Sequence, residues 1–148
     1  NILKPDFTKP MLPHFDLDNN VIIFSLFPGI EEHLIQHMFD APELRSIVMR
    51  SYGSGNAPQQ PWLMNLLRKV TERNVIVVNI SQCISGQVEM NRYDTGYQLK
   101  DAGVISGYDS TVEAAVTKLM YLQAKYNDTE TIRKYMKQSI AGEITIYN

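Results

Sequence analysis

The sequence predicts an α/β fold, a Rossmann-like three-layer domain with a short parallel sheet of about four strands flanked by helices. Three observations predict it. Val- and Ile-rich runs of strand length recur along the 148-residue chain. These runs are apolar throughout rather than alternating, as strands covered on both faces are. The stretches between them carry apolar residues at helical spacing, so successive strands are parallel and joined by right-handed helical crossovers.

The elements follow in order. Residues 1–20 are rich in breakers (Pro5, Pro10, Pro13, Asp16, Asp18, Asn19, Asn20) and read as a lead-in or interdomain linker. Residues 21–148 form the α/β domain. Its first strand is 21–27 (VIIFSLF), closed by Pro28-Gly29. Ile30, Leu34, His37 and Met38 lie at helical spacing on a segment that stops near Ala41-Pro42. Residues 46–52 (SIVMRSY) are the second strand, and 61–73 are a helix with Trp62, Leu66, Leu67 and Val70 on one face. Residues 75–80 (VIVVNI) are the third strand. A less regular helix is expected over 90–102 and a short strand over 103–105. Residues 110–126 are the strongest helix, with Val112, Ala115, Val116, Leu119, Met120 and Leu122 as its apolar stripe. A short helix is expected over 128–138. Residues 143–147 are either an edge strand or a tail.

Charge and composition exclude several classes. Lys and Arg number 14 and Asp and Glu 16, giving 14 − 16 = −2. A chain so near neutrality is a poor electrostatic partner for nucleic acid or an anionic membrane. Apolar residues at 44% and charged residues at 20% argue against disorder. The uncharged run near residues 19–30 is interrupted by Asn20, Pro28 and Gly29 and is too short to span a bilayer. One Cys excludes an internal disulfide framework and any zinc site built on several thiolates. No secretory signal pattern is visible. The chain begins at Asn1, without Met, and reads as processed or as a fragment of something longer.

Two polar loops leave the carboxyl ends of strands, where open parallel sheets collect ligands. The first is Ser51-Tyr52-Gly53-Ser54-Gly55-Asn56-Ala57-Pro58. Its glycines allow close backbone approach and Asn56 offers an amide. It lacks the Lys-Ser/Thr end of a phosphate loop and is not GxGxxG. Read as a sequence alone, it also fits a tight turn before a Pro-started helix. The second loop is Ser81-Gln82-Cys83-Ile84-Ser85-Gly86. A lone Cys past a buried strand is ordinarily an inert, partly buried small hydrophobe. A nucleophilic Cys83 would want a base, and the histidines are His14, His33 and His37. His33 and His37 are four apart with Glu32 outside the pair, unlike HExxH, and read as a solvated helix face. Asp109 or Ser110 reads as the cap of the long helix, with Glu113 in its first turn. Spacing alone yields two ligand loops and no complete catalytic set.

Beyond spacing, the segments YGSGNAP (52–58), QCISGQV (82–88) and DAGVISGYDSTVEAAVTKL (101–119), with Phe27-Pro28-Gly29-Ile30, resemble the C-terminal half of type I, cytoplasmic bacterial L-asparaginases. The resemblance runs through the chain in family order. It implies hydrolysis of L-asparagine with water to L-aspartate and ammonia, without metal or cofactor, and a cytoplasmic location. The family's Thr nucleophile and its Thr-Asp-Lys set lie in an N-terminal catalytic domain within Gly-Gly-Thr and Thr-Asp signatures. Neither signature occurs here, so no catalytic residue carries over. The resemblance also implies a homodimer or homotetramer in which this domain completes the neighbouring subunit's active site. Asn56 matches the residue that reaches into that site, with Tyr93 and, less directly, Glu89 from the next loop. Arg50 and Cys83 match an allosteric asparagine site. The alternative class is a non-enzymatic α/β small-ligand-binding module. A response-regulator-like version would want an acidic cluster at a strand end, or a Lys later in the sheet, and neither is evident.

Overall fold

The structure is a computed structural model and describes residue 4, residues 6–90 and residues 94–146. Among these, β1 (Val21–Ser25), β2 (Ser46–Ser51), β3 (Ile76–Ser81) and β4 (Ile105–Ser106) form one parallel sheet in the order β1-β2-β3-β4. The helices are α1 (Glu32–Phe39), α2 (Pro61–Glu72), α3 (Asp94–Asp101), α4 (Val112–Lys125) and α5 (Thr129–Met136). Right-handed crossovers that all step the same way lay their helices on one face of the sheet. The packing follows that rule. Phe39, Leu63, Leu67 and Leu99, from α1 to α3, pack with Phe24, Ile47, Met49 and Val77 on what we call the first face. The second face has no crossover to cover it. Helices α4 and α5 follow the last strand and turn back over it, packing Ala115, Leu119, Leu122 and Ile132 against Val48, Ile76, Val78 and Ile80. The result is the predicted three-layer α/β domain.

Alternation along the strands assigns each side chain to a face. In β2, Ile47 and Met49 face α1 to α3, whereas Val48 faces α4. Arg50 shares Val48's side and is aligned between Ser25 of β1 and Ile80 of β3. In β3, Asn79 shares Val77's side, so a fully buried amide sits on the first face near the strand's carboxyl end.

Several boundaries differ from expectation, each for a local reason. β1 ends at Ser25 rather than residue 27, because Phe27 is exposed and its carbonyl already accepts the Ile30 amide in the turn. β3 starts at Ile76 because the Val75 amide is spent on Val70, closing α2. That closure runs through Asn74 at φ 65, the left-handed conformation Asn tolerates after a helix. β4 falls at 105–106, since the Gly103 and Val104 amides still bond back into α3. The expected start of α3 at residue 90 runs through 91–93, which lie outside the described residues. The cap of α4 is Thr111, whose hydroxyl accepts the Ala114 amide at 3.2 Å, and not Asp109 or Ser110. Asp109 instead accepts the Thr145 amide at 2.7 Å, and residues 143–146 form a tail rather than a strand.

The larger surprise is the buried face of α4. Ala115, Leu119 and Leu122 are buried as expected, but Val112, Val116 and Met120 are only half-buried, while Lys118 and Gln123 are sealed in. Lys118 is tolerable there because its Nζ meets three oxygens. It donates to the carbonyls of Met136 at 3.3 Å and Gln138 at 2.5 Å and to Glu143 Oε1 at 2.5 Å. Glu143 in turn accepts the amides of Ile140 and Ala141. One ammonium thus ties the end of α5 and the tail to α4. Burial pushes the Glu143 carboxyl up, but the Lys118 hydrogen bond and these amides outweigh it, and its pKa lies below the ordinary 4.5.

Removing one partner of a buried pair strands the other. Lys118→Met is expected to lower stability by about 3–5 kcal/mol in urea unfolding at neutral pH. Because the Glu143 pKa is lowered on folding, its contribution is present above pH 4.5 and lost as pH falls through the depressed value. Unfolding titrations below pH 4.5 should therefore show a shallower loss of stability in Glu143→Gln than in the parent.

Candidate functional site

A strand order without reversal has no switch-point crevice, so the carboxyl ends themselves must build any site. The loop after β2 is the most constrained structure there. Tyr52 and Asn56 exchange both backbone hydrogen bonds at 2.8 Å, closing a four-peptide loop around Gly53 and Gly55. Three groups from elsewhere fasten it. Ser81 Oγ donates to the Gly53 carbonyl at 2.5 Å, and Asn79 Nδ2 donates to the Gly55 carbonyl at 3.1 Å. The Glu89 amide donates to the Ser54 carbonyl at 2.9 Å. Gly55 is required on two counts. Its φ is +105, and a Cβ there would stand 2.7 Å from Val88 Cγ1. Asn56 is left half-buried on this platform, with its Oδ1 accepting the Thr95 hydroxyl at 3.1 Å.

The loop after β3 ties the strand ends together. Gln82 Nε2 donates to the carbonyls of Leu26 at 2.7 Å and Arg50 at 2.9 Å, and the Gln82 amide donates to the Ser51 carbonyl. One side chain thereby bridges the ends of β1 and β2, adding a second donor to the Arg50 carbonyl, which already accepts the Leu26 amide. Cys83 is exposed, not the partly buried hydrophobe expected of a lone Cys, because its residue sits beyond the Ser81 hydroxyl that accepts its amide at 2.9 Å. Glu89 stands beside the Asn56 loop through its backbone, with an exposed side chain. Tyr93 lies outside the described residues. A cavity of about 610 Å³ runs along the free edge of β4, lined by Glu89, Met90, Lys100, Ser106, Tyr108 and Lys137 among others.

Arg50 occupies a different corner. Its side chain is on the second face, at the carboxyl end, where Ile23 of β1 is half-exposed because α4 crosses nearer the other end of β1. The crossing is fixed by the Asp18 amide on the Met120 carbonyl and by Arg45, which bonds both Asp18 and the Gln123 carbonyl. Among the described residues Arg50 reaches only Ser25 Oγ, at 3.5 Å, and its Nε is buried without a partner. The acidic partners a structural Arg would want are not there: Asp101 bonds Arg68 at 3.2 Å, and Asp94 is exposed on α3 of the opposite face. The structure therefore brings Asn56 and Glu89 together over the first face and leaves Arg50 on the second.

His33 and His37 are exposed on α1, the Nδ1–H of His37 donating to the His33 carbonyl at 2.6 Å. Among the described residues no group of three or more His, Cys, Asp or Glu side chains could hold a metal ion. No helix is long and apolar enough to cross a membrane among the described residues. Two residues that hydrogen-bond the Asn56 loop escaped sequence reading. Asn79 had a signal, a lone amide inside an apolar strand. Thr95 had none, since its partner lies 39 positions away.

Fold and loops together define a parallel α/β domain whose polar loops gather at the carboxyl ends of its strands. A family profile described as the glutaminase/asparaginase C-terminal domain matches residues 20–136, and the chain belongs to that family. It is similar to L-asparaginase 1 of Escherichia coli K12, 45% identical over 123 residues that make up 83% of this chain and 36% of that one. It is also similar to the 60 kDa lysophospholipase of Homo sapiens, 36% identical over 145 residues, 97% of this chain and 25% of that one. Among solved structures it resembles L-asparaginase I from Vibrio cholerae, with a TM-score of 0.82 and 41% identity, over 87% of this chain and 39% of that one. The chain thus spans well under half the length of these relatives.

Gly55→Ala is expected to cost about 1–3 kcal/mol, the scale of a non-glycine residue forced into a sparsely populated conformation. Thermal unfolding checks this. Gly53→Ala, where an added Cβ meets nothing within 4 Å, should cost less even though its φ of +48 is also positive.

Proposed function

We propose that this chain is the C-terminal domain of an L-asparaginase, which hydrolyses L-asparagine to L-aspartate and ammonia. In this reading the nucleophile belongs to an N-terminal catalytic domain of the same protein, and residues 1–20 link the two. The enzyme is cytoplasmic and works as a homodimer or homotetramer without metal or cofactor. The domain's own contribution is Asn56, delivered to the active site of the neighbouring subunit, with Tyr93 and Glu89 alongside. The observation that carries this reading is the Asn56 loop. Three successive carbonyls, of Gly53, Ser54 and Gly55, are pinned from outside by Ser81, Glu89 and Asn79, and the Tyr52–Asn56 pair closes the loop, while one amide side chain is left half-buried at its end. A turn that merely connected β2 to α2 would not need that reinforcement.

A regulatory role at Arg50 and Cys83 belongs to the same reading. Both lie at strand ends, and Arg50 is a charge with a buried, unpartnered Nε at an open corner. An amino-acid carboxylate would satisfy that guanidinium bidentately. Its place on the opposite face from Asn56 suits a second site distinct from the first.

Three outcomes test the proposal. The 148-residue chain produced alone should fold, by circular dichroism and a cooperative melt, yet release no ammonia from asparagine above a buffer control. In the full-length protein, Asn56→Ala should lower kcat/KM by about 10- to 150-fold, the range for losing one hydrogen bond to a charged group, with an unchanged melting temperature. Steady-state velocity against asparagine should be sigmoidal in the parent and hyperbolic in Arg50→Ala; a hyperbolic parent leaves Arg50 a structural residue.

A further inference from the structure

We propose that Asn79 is a positioning residue for Asn56, kept in the core at a cost in stability because its amide holds the peptide plane from which Asn56 leaves the loop. This rests on the placement of Asn56 in the active site proposed above. Asn79 is fully buried in β3, between Val78 and Ile80 in sequence and in register with Met49 of β2 and Ser106 of β4. Its Nδ2 donates to the Gly55 carbonyl at 3.1 Å. A carbonyl oxygen can only accept, so the nitrogen is the end of the amide that faces it. Oδ1 is thereby turned away, and it is buried without a hydrogen-bond partner among the described residues. A buried acceptor with no donor is destabilising, and an apolar side chain at this place would avoid that penalty. What the amide contributes lies outside the core, in the loop.

The Gly55 carbonyl belongs to the peptide that joins Gly55 to Asn56. The N–H of that same peptide donates to the Tyr52 carbonyl at 2.8 Å, so two bonds grip opposite edges of one plane. On the other side of Asn56 its own carbonyl accepts the Tyr52 amide at 2.8 Å. With both flanking peptides held, the direction of the Asn56 Cα–Cβ bond is set. Gly55 itself resists tilting little, because glycine has a wide choice of backbone angles. It stands at φ +105, where an added Cβ would lie 2.7 Å from Val88 Cγ1 and 3.3 Å from Asn79 Nδ2, so the loop is seated directly on those two side chains. The remaining outside bonds grip peptides farther back, Ser81 at the Gly53 carbonyl and the Glu89 amide at the Ser54 carbonyl. Asn79 is a firm support for the last one. Its strand is paired on both sides, and its carbonyl accepts the Gly107 amide at 2.8 Å. Without Nδ2 the plane is held at one edge, and the Asn56 side chain spreads over directions that miss the substrate. Asn79 thus acts through Asn56 and touches no substrate itself.

The experiment separates support of the loop from support of the fold. In the full-length protein, Asn79→Leu keeps the approximate outline of the side chain and removes both ends of the amide. We expect kcat/KM for asparagine to fall by about threefold to tenfold, the value of one neutral hydrogen bond, while the melting temperature stays at or above the parent's. In the Asn56→Ala background Asn79→Leu should cost no further activity, since it acts through Asn56. A side chain that served the fold alone would do the reverse, lowering the melting temperature and leaving kcat/KM unmoved. The proposal is overturned if Asn79→Leu turns over asparagine like the parent, if its melting temperature falls, or if its loss of kcat/KM is the same with and without the Asn56 side chain. Impaired Asn56→Ala beside normal Asn79→Leu removes the positioning role alone. Unimpaired Asn56→Ala removes the placement of Asn56 in the site, and this inference with it. Asn79→Val, smaller and suited to a strand, repeats the comparison should Asn79→Leu not fold. If neither variant folds, the amide serves the fold and the proposal fails.

Discussion

A parallel sheet whose strands step in one direction receives its crossover helices on one face only, and the rest of this structure follows from that constraint. The first face acquires α1, α2 and α3 as a consequence of chain connectivity. The second face is just as apolar, through Val48, Val78 and Ile80, and must be covered by chain that has no further strand to join. Helices α4 and α5 do this, and their position is set by contacts rather than by connection. Arg45 and the Asp18 amide fix α4 toward one end of β1, and the Lys118 cluster ties α5 and the tail to α4. Where α4 does not reach, Ile23 is half-exposed and Arg50 is left with an unpartnered Nε.

The same constraint divides the polar groups at the carboxyl ends. Strand alternation sends Asn79 to the first face and Arg50 to the second, although both lie near the ends of adjacent strands. Asn79 then serves the Asn56 loop, while Arg50 faces an open corner. Gln82 sits between them and bonds the Arg50 carbonyl, so the two corners share a backbone support even though their side chains point apart. Under the proposed function, this geometry gives one small domain two ligand-facing corners back to back across a single sheet. Coupling between them would require two states with different affinities.

Membership of the glutaminase/asparaginase C-terminal family does not by itself name a reaction. Proteins with quite different names are similar to this chain, at 45% and 36% identity, and the chain spans only part of each. Physical chemistry supplies the reason. The domain offers hydrogen-bonding groups on fixed loops, and among its described residues it brings together no nucleophile with a base. Under the proposed function its part in chemistry is to present the Asn56 amide, and what that amide meets depends on the surface it is docked against.

By itself the sequence determined the layers. The unbroken apolar runs of β2 and β3 could only be strands covered on both sides, and Pro61 and the stripe of Leu66, Leu67 and Val70 could only be a helix lying on them. It also marked the Asn56 loop, because two glycines beside an amide at a strand end are a local pattern. What it could not determine were the contacts between residues far apart in the chain. The burial of Lys118 contradicts its local pattern and makes sense only once Met136, Gln138 and Glu143 are folded around it. The exposure of Cys83, the separation of Arg50 from any carboxylate among the described residues, and the hydrogen bond between Thr95 and Asn56 were likewise decided by tertiary structure. Periodicity records which side of an element is apolar. Which oxygen a given polar group will meet is fixed only when the elements dock, because a hydrogen bond needs a partner within about 3 Å and the sequence carries no distances.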